Sequence, residues 1–496
     1  MIWWQNLPLP LILLPLICAA VSSVLKGRAV RAVMAALVFF SCLGMSVLLY
    51  DTLRDGKSYV LAMGDIGAPF GNELRVGPLE ALTGLLFSLV MLLSLLGGWD
   101  KLKTEIAPNR TPYYGVMICL LCASISAMVF TNDLFTAYVF IEISTIAACA
   151  LIAASNKGHA LFASARYMMM NLLGSGLFLL GLSMLYCLTG HLLFPQLGKS
   201  VQALLDSGGY PVPLYLSFLL MTFGIAIKSA LYPFHTWVPS AYASATASSS
   251  AILSSIISKM YIFLLIKIFL RAAGAGFFTQ PIQDVLFAYA VAGMILGSVD
   301  AIREKKLRRM VAYSSVAQIG YIFLGIAMGT PLGYSAAVLY MVAHSLAKSM
   351  LFLSANQLKE ASGGEDTFSA VRGAGLRCPL AGCAFLVGAC SLVGIPPLAG
   401  FSGKIYLASA GAALGDWRMV AALSALAVGT VLNVLYFLRA GLNLFRPQAQ
   451  ETAVRAPVSL SFAAAMVLLI ALNIALGVFG GAVMGWIEKG FQLFAG

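Results

Sequence analysis

The chain has 496 residues, of which 60% are hydrophobic and only 10% charged, and its mean hydropathy is +0.91. A soluble domain carries about 25% charged residues, and too little polar side chain is present here to cover a fold of this size in water. The net charge of +12 would suit a nucleic-acid partner, but the basic residues are scattered between apolar runs and build no basic arm or domain. What remains is an all-α, polytopic membrane protein in which lipid replaces water over most of the surface.

Apolar runs of about 20 residues, the length that crosses roughly 30 Å of hydrocarbon, recur along the whole chain. In order they cover 8–25, 29–50, 78–98, 113–130, 132–154, 164–189, 214–245 (interrupted), 248–270, 285–301, 308–328, 332–358, 380–412 (interrupted), 418–440 and 459–484. About fourteen spans are therefore expected. The first is not expected to be a cleaved signal, because its basic residues, Lys26, Arg28 and Arg31, follow it instead of preceding it. The odd-numbered loops hold 19 Lys and Arg, and the even loops and tails hold 7. By the positive-inside rule the odd loops are cytoplasmic and both termini lie outside. The densest patch, Arg303, Lys305, Lys306, Arg308 and Arg309, falls on the cytoplasmic side.

Five basic residues are left inside the spans, Lys228, Lys259, Lys267, Lys348 and Lys404, and Glu142 is also mid-span. A lysine at a helix centre costs roughly 2.5–3.5 kcal/mol to insert, so such residues face a bundle interior and mark ion paths. Buried lysine and glutamate side chains also approach conditions where they exchange protons near neutral pH. His344 and Lys348, at i and i+4, share one helix face. Lys259 is too deep to snorkel, whereas Lys267, near the end of its span beside Arg271, is expected to reach the interface. Each has a plainer alternative: a structural ion pair for Glu142, a coincidental polar face for His344 and Lys348.

Two spans are both charged and broken. Lys228 precedes Pro233 and Pro239, and Lys404 follows Pro396, Pro397 and Gly400. Proline removes a donor and clashes with the preceding turn, which frees backbone carbonyls. At membrane depth such backbone is tolerated only against protein or a watery cavity, as in the ion and substrate sites of transporters. The breaks fall five spans apart, an odd number, so an internal duplication would be inverted. The nine cysteines and four histidines show no ligand-like spacing. The cysteines are expected to be small core residues, and His159 and His191 to lie in loops. No phosphate loop, haem motif, metal site or catalytic nucleophile is evident, so no cofactor is expected and no catalytic site of its own.

These motifs, in this order, resemble the antiporter-like membrane subunits shared by Mrp-type multisubunit Na+/H+ antiporters, respiratory complex I and membrane-bound hydrogenases. Asp133 to Glu142 resembles the family's fifth-helix motif, and Lys228 with Pro233-Phe-His-Thr-Trp-Val-Pro239 its broken seventh helix. Lys259 is similar to the eighth-helix lysine, Ala312-Tyr-Ser-Ser315 to a segment of the tenth helix, and His344 and Lys348 to the eleventh. Gly394-Ile-Pro-Pro-Leu-Ala-Gly-Phe-Ser-Gly-Lys404 resembles the broken twelfth. Gln318 and Ala68-Pro-Phe-Gly71 are nearest to the D-type Mrp subunit. One departure is clear: after Pro239 the family pattern Asp-Ala-x-Ala-Glu-Ala-Pro-Thr-Pro reads Ser240-Ala-Tyr-Ala-Ser244-Ala-Thr246-Ala-Ser248, without its two carboxylates and two prolines.

The resemblance implies an N-terminal three-helix segment (1–112), a first five-helix repeat (113–270), an inverted second repeat (285–440) and a C-terminal helix (441–496). It implies proton translocation along a hydrated axis, with Glu142 and Lys228 as the interacting pair. Lys259 and His344 would relay, Lys348 and Lys404 would carry charge in the second half, and His235, Gln318 and Lys267 would be auxiliary. Implied partners are other integral membrane subunits, the bilayer, and H+ with Na+ as a further candidate ion, in a prokaryotic plasma or inner membrane. The same module also serves as the pump of redox-driven complexes, and a stand-alone secondary transporter is the remaining alternative. The long lateral helix of one complex I subunit is not expected, since the chain ends soon after the last span.

Overall fold

The computed structural model describes residues 3–63, 71–274, 280–447 and 456–494; Ala68, Pro69 and Phe70 lie outside them. Every expected span meets a helix, and twelve helices among the described residues are long and apolar enough to cross a membrane. The expected first and twelfth spans are absent from that set for reasons of length. The first is Pro8–Ser22, of 15 residues. The twelfth is split by its prolines into Pro379–Val393 and Ala399–Ala412. At 1.5 Å per residue each half reaches only about 22 Å.

Helix ends follow the local chemistry. Proline opens the helices at Pro8, Pro78, Pro211, Pro331 and Pro379, where no backbone donor is needed. Asp133 caps the fifth span (Leu134–Ala153) by accepting from the Thr136 amide at 2.6 Å. The seventh span runs Pro211–Ser229, unwinds just past Lys228, and resumes at Val238–Ser244. The eighth (Ala247–Ala273) contains two π-helical turns, Leu253–Ile257 and Ile268–Ala273. Three longer elements were not expected from the sequence. A β-hairpin pairs Tyr59–Met63 with Asn72–Val76, an amphipathic helix, Phe194–Asp206, lies between the sixth and seventh spans, and a last helix, Gly480–Phe494, follows the fourteenth.

Burial sorts the helices. The eighth, the tenth (Leu307–Ala327) and the eleventh (Pro331–Glu360) are almost wholly enclosed, whereas the second (Arg28–Asp55), sixth (Gly158–Thr189), thirteenth (Trp417–Phe445) and fourteenth (Leu460–Val478) expose an apolar flank. Phe39, Phe162, Met169, Val431 and Leu442 all point outward. An apolar rim around a centre that holds Lys228, Lys259, His344 and Lys348 inverts the soluble pattern and suits lipid as solvent.

Close crossings at glycine set the positions of the charged helices. The sixth and seventh spans meet backbone to backbone at Gly174 and Gly224. A Cβ on Gly224 would stand 2.6 Å from the Gly174 carbonyl oxygen, and one on Gly174 would stand 3.1 Å from Cγ of Lys228. The ninth (Gln280–Arg303) and tenth cross similarly at Gly297 and Gly320. Not all cysteines are core residues: Cys119, Cys122 and Cys378 are buried, but Cys187 and Cys383 sit on the exposed rim. An apolar rim accommodates a thiol as readily as the interior does. His191 lies in a loop as expected; His159 instead falls in the first turn of the sixth span.

Candidate functional site

The buried charges form a chain across the bundle. Lys228, the penultimate residue of the first half of its span, places Nζ 3.7 Å from Oε1 of Glu142 and donates to Thr145 Oγ1 at 2.7 Å. Its ammonium also faces the Tyr261 ring, 5.5 Å from the centroid. The Tyr261 hydroxyl in turn pairs with Ser144 at 2.9 Å, so fifth, seventh and eighth spans meet at one polar knot. At this separation and an effective dielectric of 20, the Glu142–Lys228 attraction is about 4 kcal/mol.

Lys259 follows the first π-turn and donates to the Ser254 carbonyl within it. A π-turn releases a backbone carbonyl from the regular ladder and is frequent at functional sites. Ser345 of the eleventh span takes another of these freed groups, donating to the Ser255 carbonyl at 2.8 Å. His344 lies between Lys259 and Lys348, within electrostatic reach of both. Neither of its ring nitrogens meets a hydrogen-bond partner among the described residues. Lys348 crosses to the tenth span, donating to the Val311 carbonyl at 2.8 Å and to Ser314 Oγ.

Beyond Lys348 the polar contacts continue through side-chain amides and phenols. Tyr340 donates to Gln318 and stacks on Tyr321 at 5.4 Å. Tyr321 accepts from Asn433, which also binds the Tyr436 hydroxyl at 2.6 Å. Lys404 sits 4.8 Å over the Tyr321 ring. It reaches back across the Pro396-Pro397 break to donate to the Val393 carbonyl at 2.9 Å, and to Thr430 at 3.2 Å. Gly400 packs so tightly on Ser391 that a Cβ would overlap its carbonyl oxygen. The break thus supplies the acceptor that its lysine uses.

Lys267 does not belong to this row and does not reach an interface. It is fully buried and donates to the carbonyls of Val129 and Thr131, at 2.8 and 2.7 Å, where the fourth span (Thr111–Phe130) ends. The hairpin, the Phe194–Asp206 helix and the last helix cover the position that residue counting assigns to the interface. Nearby, Arg75 pairs with Glu80 in full burial, and Arg271 donates to Asn132. Arg308, counted with the cytoplasmic basic patch, is also turned inward. It donates to the carbonyls of Tyr242 and Ala245 and to Ser250 Oγ.

His235, in the unwound link after Lys228, places Nε2 3.7 Å from Oδ2 of Asp300 and stacks on Tyr232 at 5.0 Å. Asp300 lies in the last turn of the ninth span and was not singled out by sequence, because a carboxylate near a span's end reads as a loop residue. Thr145, Tyr261, Ser254, Ser314, Tyr321 and Tyr340 were missed as well. Only Ser314, in the Ala312–Ser315 segment, carried a sequence signal. Among the described residues no group of three or more His, Cys, Asp or Glu is placed to hold a metal ion.

A membrane bundle with broken helices and a row of enclosed lysines has the architecture of a transporter-like membrane subunit. The chain belongs to the NADH:quinone oxidoreductase/Mrp antiporter transmembrane family, whose model matches residues 131–430. It is 32% identical to the N subunit of the NADH-quinone oxidoreductase of Desulforudis audaxviator, over 91% of this chain and 89% of that protein. It is 29% identical to the D-type Na(+)/H(+) antiporter subunit of Bacillus subtilis, over 94% of each. The fold superimposes on a chain of the archaeal membrane-bound sulfane sulfur reductase with a TM-score of 0.89 and 26% identity, over 99% of this chain and 98% of that one. N-type and D-type relatives both span nearly the whole chain, so these matches do not single out the D type. The protein is an antiporter-like, multi-pass membrane subunit of the kind found in multisubunit complexes.

Proposed function

We propose that the chain conducts protons laterally through the bundle, along Glu142, Lys228, Lys259, His344, Lys348 and Lys404. The single observation that carries this reading is the row itself: ionisable groups on the most enclosed helices, interleaved with serine, threonine and tyrosine hydroxyls. Lys228, Lys259 and Lys348 are all fully buried at an insertion cost of roughly 2.5–3.5 kcal/mol each, and unlike Lys267 they share the bundle centre with Glu142 and His344. Each group bears on the next. A proton arriving at Lys259 repels one on Lys348, and movement of Glu142 relative to Lys228 changes the affinity at the start of the row.

Residues 113–270 and 285–440 act as two inverted halves. In support, each half has its own broken helix and its own lysine at the break, Lys228 before one and Lys404 after the other. The loop charge bias orients both termini outward. The chain works beside other membrane subunits, with H+ as the translocated ion and Na+ as a candidate counter-ion. The likeness to a subunit of an archaeal respiratory membrane complex favours a second reading, in which a redox reaction in neighbouring subunits drives the same row. Iron–sulfur or nickel subunits co-purifying with the chain would decide for it.

The test is ion movement by the intact complex in proteoliposomes. Lys228→Ala and Glu142→Ala abolish coupled ΔpH formation while the complex still assembles. Normal transport by either variant refutes the proposal.

A further inference from the structure

We infer that Asp300 and His235 form the cytoplasmic proton-uptake pair of this subunit. The inference rests on the proposed row and supplies the point where protons join it. The two carboxylates expected after Pro239 are absent, and their positions hold Ser240 and Ser244. These serines line a polar cavity of about 780 Å3 together with Arg166, Lys306 and Glu365. Serine neither stores a proton nor attracts one, and the charges around it are mostly positive.

Glu365 and Asp366 lie on the far side of that cavity, whereas a carboxylate in contact with the unwound link stands at the next one. Asp300 lines a separate opening of about 500 Å3 at the same end of the bundle, with Arg303, Glu304, Lys305, Lys306 and Tyr313. Its side chain is 36% exposed, while that of His235 is 9% exposed. The pair therefore spans the boundary between the cavity and the interior. The sequence dictates this contact. Gly293 lets the ninth span lie against Tyr232, where a Cβ would stand 3.3 Å from that residue's Cβ. Asp300, seven residues on, lies two turns along the same face, directly over the unwound link.

His235 is held between Tyr232 and Tyr313, at 5.0 and 6.4 Å between ring centroids, and Arg166 acts on it electrostatically. Its Nε2 faces Asp300 at 3.7 Å, one side-chain rotation or one bridging water from a hydrogen bond. Its Nδ1 is buried and makes no regular hydrogen bond among the described residues, and the Pro233 backbone bears on the ring. The link that carries it begins two residues after Lys228 and ends where the Trp237 indole donates to the Ile227 carbonyl at 3.4 Å. A ring with one nitrogen towards a surface carboxylate and the other inside, free of any regular hydrogen bond, is built to pass protons inward.

The transfer conserves protons at every step. A proton from the cavity adds to the Asp300 carboxylate and moves to Nε2 of His235. The resulting imidazolium releases its Nδ1 proton towards the break beside Lys228. That leaves a free carboxylate and a neutral ring, which returns to its starting tautomer before the next cycle.

The experiment uses the whole complex containing this chain, reconstituted in proteoliposomes, with the initial rate of ΔpH formation as readout. Asp300→Asn and His235→Gln each lower the rate by at least about 100-fold, the lower end of the range for a positioned proton-transfer group. The double variant is no slower than the worse single one, Asp300→Glu restores transport, and Glu365→Gln in the adjacent cavity transports normally. Wild-type rates in an assembled Asp300→Asn complex, with Lys228→Ala inactive, overturn the uptake pair and leave the row standing. Failure of Asp300→Glu to restore transport makes Asp300 a structural residue and also overturns it. Normal transport by Lys228→Ala instead removes the row, and the uptake pair falls with it.

Discussion

The crossing of the sixth and seventh spans gives the sharpest test of how packing positions chemistry. In Gly224→Ala the new methyl would sit 2.6 Å from the Gly174 carbonyl oxygen, 2.9 Å from the Phe178 amide nitrogen and 3.0 Å from Phe178 Cβ. Two of these three atoms are backbone, so no rotamer change relieves the contact. Restoring 3.4 Å to the carbonyl requires the helices to part by about 0.8 Å. Overpacking of this kind costs about 1–3 kcal/mol. Lys228 lies one turn beyond Gly224 on the same face. If the shift is carried to its ammonium, the 2.7 Å bond to Thr145 stretches to the limit of hydrogen bonding. Misplacement of about 1 Å at a reacting group costs up to about 100-fold in rate. The expected outcome is an assembled complex with a lower melting midpoint and a ΔpH-forming rate reduced at least about tenfold. Gly176→Ala is the control, because a Cβ there meets nothing within 4 Å; it leaves transport unchanged and holds or raises the melting midpoint. Equal rates for Gly224→Ala and wild type would refute the argument that this crossing sets the Lys228 position.

Lys267→Met keeps the apolar stem and removes the donor to the Val129 and Thr131 carbonyls, at about 1–3 kcal/mol for each orphaned acceptor. Its melting midpoint falls and its transport rate per assembled complex is retained; a lost rate at unchanged stability would move Lys267 onto the proton path. Glu105, in the loop after the third span, has its carboxyl pushed up chiefly by burial, against the Ala247 amide and Arg308, which pull it down. A carboxyl raised in the folded state binds its proton more tightly there than when unfolded. Its contribution to stability is therefore complete below the ordinary value of 4.5 and is lost as pH rises through the raised value. The melting midpoint of the wild type should drop relative to Glu105→Gln as pH rises from 4.5 towards neutrality, and parallel pH profiles would contradict this.

Much of the architecture was legible because lipid imposes a length and a polarity on every crossing segment. Burial was not legible in the same way. The sixth and eleventh spans are both long and apolar, yet one lines the rim and the other is enclosed, since lipid and protein interior select the same side chains. What distinguished the eleventh was His344 and Lys348, too costly to face lipid. Sequence therefore located the row by its charges and missed the hydroxyls between them, because Thr145 or Tyr321 costs little at either surface. Lys267 was misplaced for the opposite reason. Depth was counted from the end of its span, and tertiary structure put the hairpin and the Phe194–Asp206 helix over that end.

The stretch after Pro239 shows how a substitution read as a loss acquires meaning only in three dimensions. With serine at 240 and 244, no carboxylate stands on this segment to meet Arg308, which is nonetheless buried. One nitrogen of its guanidinium donates to neutral acceptors, the Ala245 carbonyl and Ser250 Oγ, both at 2.7 Å, and the Tyr242 carbonyl at 3.3 Å. A cation hydrogen-bonded to backbone carbonyls fixes the second half of the broken span, with its charge balanced from other segments by Glu105, Glu360 and Asp366. Under the proposed uptake pair, structural and proton-carrying duties, which a carboxylate at either position would combine, fall to different residues. Arg308 holds the segment, and the only carboxylate that touches the unwound link among the described residues is Asp300, through His235.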